Sequence, residues 1–199
     1  MKNVLRFAGL ELIYFVIGFG CMFLGFLSPF CWVYQPVIAA FLAAAPVLIV
    51  CKNWRKFGGL LILPGIYALL MILMGEINGT PRIIAIAAVL LAAEIIRFLL
   101  GYHSQKGVRF GYAAAALVPA CSLLLLWLDK EFYYAGAVEE MGSVAYADGL
   151  MAIATPVGLI ALIGCTILAG YIGAVVAEKL FKTRVSMESP SLSIVCSLS

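Results

Sequence analysis

The sequence predicts an all-α polytopic membrane protein, a bundle of six transmembrane helices with the N- and C-termini in the cytoplasm. Three observations carry this prediction. Hydrophobic residues make up 65% of the 199-residue chain and charged residues 12%, against about 25% charge in an ordinary soluble domain, and the mean hydropathy is +1.11. Apolar runs of bilayer length recur along the chain. The bases gather at alternate ends of those runs.

In order, the runs fall at 7–29, 36–51, 58–75, 82–100, 110–128 and 150–181. The first, from Phe7 to about Phe30, has the roughly 20 residues a bilayer-crossing helix needs and exceeds the 7–15 or so of a signal-peptide core, so it reads as a retained helix. The last is too long for one straight crossing. Thr155-Pro156, followed by Gly158, offers a kink or helix start, and the first turn of this segment then lies at the outer interface.

One set of span ends carries Lys2, Arg6, Lys52, Arg55, Lys56, Arg97, Lys106, Arg109, Lys179, Lys182 and Arg184; the other carries only Arg82 and Lys130. By the positive-inside rule the first set is cytoplasmic. The net charge of +3 therefore reads as membrane topology within a lipid bilayer, and no nucleic-acid partner is expected. The acids Glu76, Asp129, Glu131, Glu139, Glu140 and Asp148 then lie outside. They either keep loops soluble or line an entrance.

Outside the six-helix domain, residues 1–184, the sequence leaves a Ser-rich tail, 185–199, which is expected to be flexible. There is no G-x-x-x-x-G-K-[ST], so the chain is not expected to hydrolyse ATP by itself. Six cysteines, mostly inside apolar runs and without a C-x-x-C pair, read as small packing residues.

Two acids sit within spans, where an ionised group costs at least about 2.5–3.5 kcal/mol and so needs a partner. Glu94 has Arg97 three residues on, on the same helical face. Glu11 has Arg6, a neighbouring helix, or another subunit for which it would be a docking residue. Glu139-Glu140 resembles the paired glutamates of CAAX-type intramembrane proteases, but Val144 stands where the Arg of that pattern belongs. With one histidine, His103, in a basic loop, neither a metal site nor a Ser-His dyad is expected. No enzyme activity and no cofactor are expected.

The outer ends collect aromatic and polar residues together: Trp32, Tyr34 and Gln35 after the first span, Glu76, Asn78, Thr80 and Arg82 after the third, and Trp127, Tyr133, Tyr134, Tyr146 and Asp148 around the loop before the sixth. Interface belts account for part of this set; a small-ligand pocket uses the same mixture. The expected substrate-binding residues are Trp32, Tyr34, Glu76, Asn78, Arg82, Tyr133, Tyr134, Tyr146 and Asp148. Small residues in the first and sixth spans, including Gly170-x-x-x-Ala174 and Gly173-x-x-x-Ala177, let helices approach closely. Gly18, Gly170 and Gly173 are accordingly expected to serve close packing or, with Glu11, the docking of a partner subunit.

The stretches "KNWRKFGGLLI", "MGEING", "LLGYHSQKGVRFGYA" and above all "YYAGAVEEMGSVAYADGLMAI" resemble the Trep_Strep family of integral membrane proteins, and the resemblance covers nearly the whole chain through Arg184. The family is grouped with the substrate-binding S components of energy-coupling factor (ECF) transporters, importers of the ABC type. The resemblance implies a six-helix subunit that captures a vitamin-like or metal-related micronutrient outside. It also implies a transmembrane coupling subunit and two ATPase subunits as partners, and toppling in the membrane to release the cargo. S components commonly show an A-x-x-x-A-like face on the first helix, whereas Ala8-Gly9-Leu10-Glu11-Leu12 here contains Glu11. The residues leave two other functions open: a membrane assembly protein without transported ligand, and an intramembrane enzyme.

Overall fold

A computed structural model describes the backbone of residues 2–77 and 79–187, with side chains from 5 to 77 and 79 to 180. Asn78 and the tail from residue 188 on, including Cys196, lie outside the described residues; 185–187, expected to begin the tail, continue the last helix. Among the described residues the chain is helical and contains no strand.

Helix α1, Lys2–Met22, runs into a 3-10 turn at Phe23–Phe26. Ser28 then caps a new helix, its hydroxyl oxygen accepting the Cys31 N–H at 3.2 Å, and Pro29 occupies the first helical turn, where no N–H partner is needed. Helices α2, Pro29–Leu42, and α3, Ala44–Asn53, follow, bent by 41° at Ala43. Pro46 cannot donate to Leu42, which explains the break. Trp32, Tyr34 and Gln35, expected in a connection, thus stand on the first turns of α2.

Helix α4, Ile62–Leu73, and α5, Thr80–Leu100, come next. The fifth expected span is divided into α6, Gln105–Ala115, α7, Val118–Ser122, and α8, Leu125–Leu128, with Pro119 in the second piece ending the first. The polar stretch before the sixth span folds into α9, Lys130–Met141, and α10, Val144–Ile153. Asp129 and Ser143 cap them by accepting the N–H groups of Phe132 and Tyr146. Helix α11, Pro156–Met187, closes the fold. The break expected at Thr155-Pro156 is present, and its carbonyls are used: Trp127 Nε1 donates to Thr155 O at 2.9 Å and Lys130 Nζ to Ala154 O at 2.8 Å.

Three helical segments, Leu5–Phe26, Thr80–Leu100 and Pro156–Leu180, are long and apolar enough to cross a membrane, and the bent α2–α3 pair makes a fourth. The expected spans 58–75 and 110–128 are present as shorter helical pieces rather than long unbroken ones. Large apolar side chains on these helices face outward, Val157 and Ile160 being over 70% exposed, as lipid-facing positions do.

Inside the bundle α5 packs on α6, and α11 packs on α2 and α6. Glycine permits these approaches: a Cβ on Gly173 would lie 2.6 Å from Phe41 O, and one on Gly170 2.9 Å from Ala116 Cβ. Both are buried by their own chain. They serve close packing, and the expectation that they present a docking face is corrected, because α2 and α6 already cover them.

The Glu94–Arg97 pair forms at 3.8 Å, both side chains fully buried. Glu94 Oε1 accepts the Leu60 N–H at 2.6 Å. Arg97 Nη2 donates to Trp54 O at 2.8 Å and Cys51 O at 3.2 Å, and Nη1 to Lys56 O at 3.5 Å. The pair therefore pins the α3–α4 connection onto α5. On the same end of the bundle Arg109 of α6 donates to Glu178 of α11 through Nε at 2.8 Å and through Nη2. Glu11 does not pair with Arg6: its carboxylate oxygens are shielded from solvent and make no hydrogen bond or ion pair with the described residues.

Candidate ligand cavity

At the end of the bundle where α5 begins, opposite Arg97, the helices part around a cavity of about 320 Å³. Its floor is built by the second half of α1 and the middle of α2 and α4, contributing Gly18, Gln35, Ala39 and Tyr67. Met22, Met71 and Met74 form one side and Met141 of α9 another. Thioether side chains are flexible and polarizable, suited to lining a space whose occupant varies in shape.

Gly18 belongs here rather than to a docking face. A Cβ at this position would come within 2.7 Å of the Tyr67 ring, so glycine is what lets that ring lie across α1 at the cavity floor. Tyr67 packs edge-on against Tyr14, ring centres 5.6 Å apart.

The roof is tied down by long-range hydrogen bonds. Trp32 Nε1 of α2 donates to the Tyr133 hydroxyl of α9 at 2.6 Å, and the Tyr146 hydroxyl of α10 donates to Gly25 O at 2.6 Å, across 101 and 121 residues of sequence. Burial pushes the Tyr133 hydroxyl up to about 12, so it stays protonated at ordinary pH. Below the roof, Arg82 at the start of α5 is 7% exposed and donates through Nη1 to Ser122 O at 3.2 Å and Glu76 O at 3.3 Å. It fastens the turn before α5 to the end of α7. Glu76 and Glu140 line the cavity with exposed side chains at its rim.

Of the sequence-derived binding residues, Trp32, Glu76, Arg82, Tyr133 and Tyr146 converge on this cavity. Tyr34, Tyr134 and Asp148 are outside its wall. Tyr34 stacks on Phe30, ring centres 4.6 Å apart, and the Tyr134 hydroxyl donates to Asp148 Oδ1 at 3.0 Å, joining α9 to α10 on the exposed side. Asn78 lies outside the described residues. Gln35, Tyr67, Ser122, Glu140 and the four methionines also line it, among further apolar residues. The sequence places Gln35 and Glu140 at the outer end, but nothing local marks them as facing inward. Tyr67 sits mid-span with no signal beyond its polarity.

Among the described residues no group of three or more His, Cys, Asp or Glu is placed to hold a metal ion. What the cavity offers is aromatic faces, thioethers, an amide, hydroxyls and rim carboxylates. That is an inventory for binding a small organic molecule.

No curated protein matches the chain, and no solved structure does. A family model described as a hypothetical bacterial integral membrane protein, Trep_Strep, matches residues 1–184. The match takes in every cavity-lining residue and runs to within three residues of the end of the last helix, so the chain belongs to the Trep_Strep family of bacterial integral membrane proteins.

Proposed function

We propose that the protein is the substrate-binding S component of an ECF-type importer: a multi-pass protein of the cell membrane, both termini cytoplasmic, that captures a small micronutrient at its outer face. One observation carries the reading. Eight helices, α1, α2, α4, α5 and α7 to α10, contribute to one cavity at the end of the bundle away from the basic residues Lys52, Arg55, Arg97 and Arg109. The positive-inside rule makes that end the outer one.

Capture needs a site open to the outer medium and a roof that can be fastened over it. The rim carboxylates supply the first, and the Trp32–Tyr133 and Tyr146–Gly25 hydrogen bonds supply the second. Release against a gradient needs free energy, which a transmembrane coupling subunit and two ATPase subunits would provide.

Native mass spectrometry of the protein purified gently from its own membrane tests the reading. The expected result is a small molecule travelling with the chain and co-purification with a coupling subunit and two ATPases. A chain that carries no small molecule and no ATPase module overturns it.

A further inference from the structure

The cavity has an unequal distribution of unused hydrogen-bonding groups, and this bears on what it takes. Gln35 and Tyr67 are 7% and 5% exposed and line the floor. Neither the Gln35 amide nor the Tyr67 hydroxyl makes a hydrogen bond to a described residue. Both residues are largely enclosed by the chain, yet their polar atoms stay open to the cavity they line, so they are free to pair with a molecule that enters it. An amide presents both donors and an acceptor; its natural complement is another amide-like edge.

Arg82 does not play this part. One guanidinium nitrogen, Nη1, is held by the Glu76 and Ser122 carbonyls, which fixes the group in the wall, and its single charge is outnumbered by the carboxylates of Glu76 and Glu140 at the same cavity. The ionisable groups left at the rim are the carboxylates of Glu76 and Glu140. Between floor and rim stand the rings of Trp32 and Tyr133 and the methionine side chains, surfaces that favour a flat ring and a cation beside it.

We propose that the cavity takes a small aromatic molecule with an amide-like edge at one end and a positive charge at the other. Gln35 and Tyr67 read the edge at the floor, and Glu76 and Glu140 hold the charge at the rim. This rests on the S-component reading and narrows its substrate class. A volume of about 320 Å³ is near the lower limit of ligand cavities, about 300–1,000 Å³, which suits one ring with short substituents.

Three probes on one scaffold separate the contributions: 4-(aminomethyl)benzamide, 4-methylbenzamide and 4-carbamoylbenzoate, cationic, neutral and anionic at pH 7. Titrated calorimetrically into the full chain in detergent, the cation is expected to bind about tenfold tighter than the neutral probe, a difference of about 1.4 kcal/mol, and the anion most weakly. The double variant Glu76→Gln, Glu140→Gln, at two exposed positions, is expected to abolish the preference for the cation, bringing its affinity to that of the neutral probe. Gln35→Leu is expected to weaken cation and neutral probe alike.

Tightest binding by the anion, a cation preference that survives the double variant, or binding of none of the three overturns the proposal. If the proposal falls while the purified chain still carries some other small molecule together with an ATPase module, the importer reading stands. If neither travels with it, both fall.

Discussion

The two ends of the bundle handle buried polarity in opposite ways. Around Arg97 the chain answers most of its own charge: one guanidinium reaches three backbone carbonyls from the end of α3 and the connection after it, and the neighbouring carboxylate takes the Leu60 N–H. Glu94 Oε2 and Arg97 Nε make no hydrogen bond to a described residue. Gly59 makes room for this, since a Cβ there would lie 2.1 Å from Arg97 Nη1. Around Gln35 the helices stand apart, and two buried polar side chains face a cavity instead of each other. One bundle thus closes a charged pair largely within its own backbone at the satisfied end and, at the receptive end, leaves two polar side chains facing a space that a ligand can enter.

The contrast can be broken first at the satisfied end. Arg97→Met leaves Glu94 charged and buried without its ion pair, which is expected to cost about 3–5 kcal/mol. Thermal unfolding in detergent should show a larger loss than either tyrosine change below, and a parent-like Tm would mean that the pair does not hold α3–α4 to α5. Next comes Tyr133→Phe at the receptive end. It removes the acceptor of the Trp32 N–H, a loss of about 1–3 kcal/mol for an indole left unpaired. Its sharper signature is on ligand binding, which should weaken in calorimetry as the roof loosens; unchanged affinity would remove Tyr133 from the site. The smallest effect is expected from Tyr134→Phe, one residue along the same helix. Its hydrogen bond to Asp148 is exposed, so stability should fall by less than about 1 kcal/mol and ligand affinity should stay the same. Equal effects of the Tyr133 and Tyr134 changes would erase the distinction between the cavity wall and its outer face.

What could be read from the sequence was set by range. The helical class, the partition of bases and the Glu94–Arg97 pair depend on composition or on residues one helical turn apart, and all three are plain in the chain. The break before Pro156 was legible because proline acts on its own neighbourhood. The Ser28-Pro29 cap carries the same kind of signal, yet the apolar run across it hid the start of α2. Gly18, Gly170 and Gly173 announced close approach but not what approaches, and the structure supplies Tyr67, Ala116 and the Phe41 carbonyl. Trp32 and Tyr133 were separately visible as polar aromatics at one end; their hydrogen bond spans 101 residues, a relation no local pattern encodes. The same limit separated Tyr134 and Asp148, paired on the exposed side of α9, from the cavity they were expected to join.

The placement of Glu94 and Arg97 also bears on how α5 gets into the membrane. Standing three residues apart on one helical face, they enter the bilayer as a neutral unit, so the helix need not carry an isolated charge into hydrocarbon. The carbonyls of Cys51, Trp54 and Lys56 that receive Arg97 precede it in the chain, and they have been synthesised before α5 leaves the ribosome. Biogenesis in N-to-C order thus supplies the cation's acceptors ahead of the cation itself.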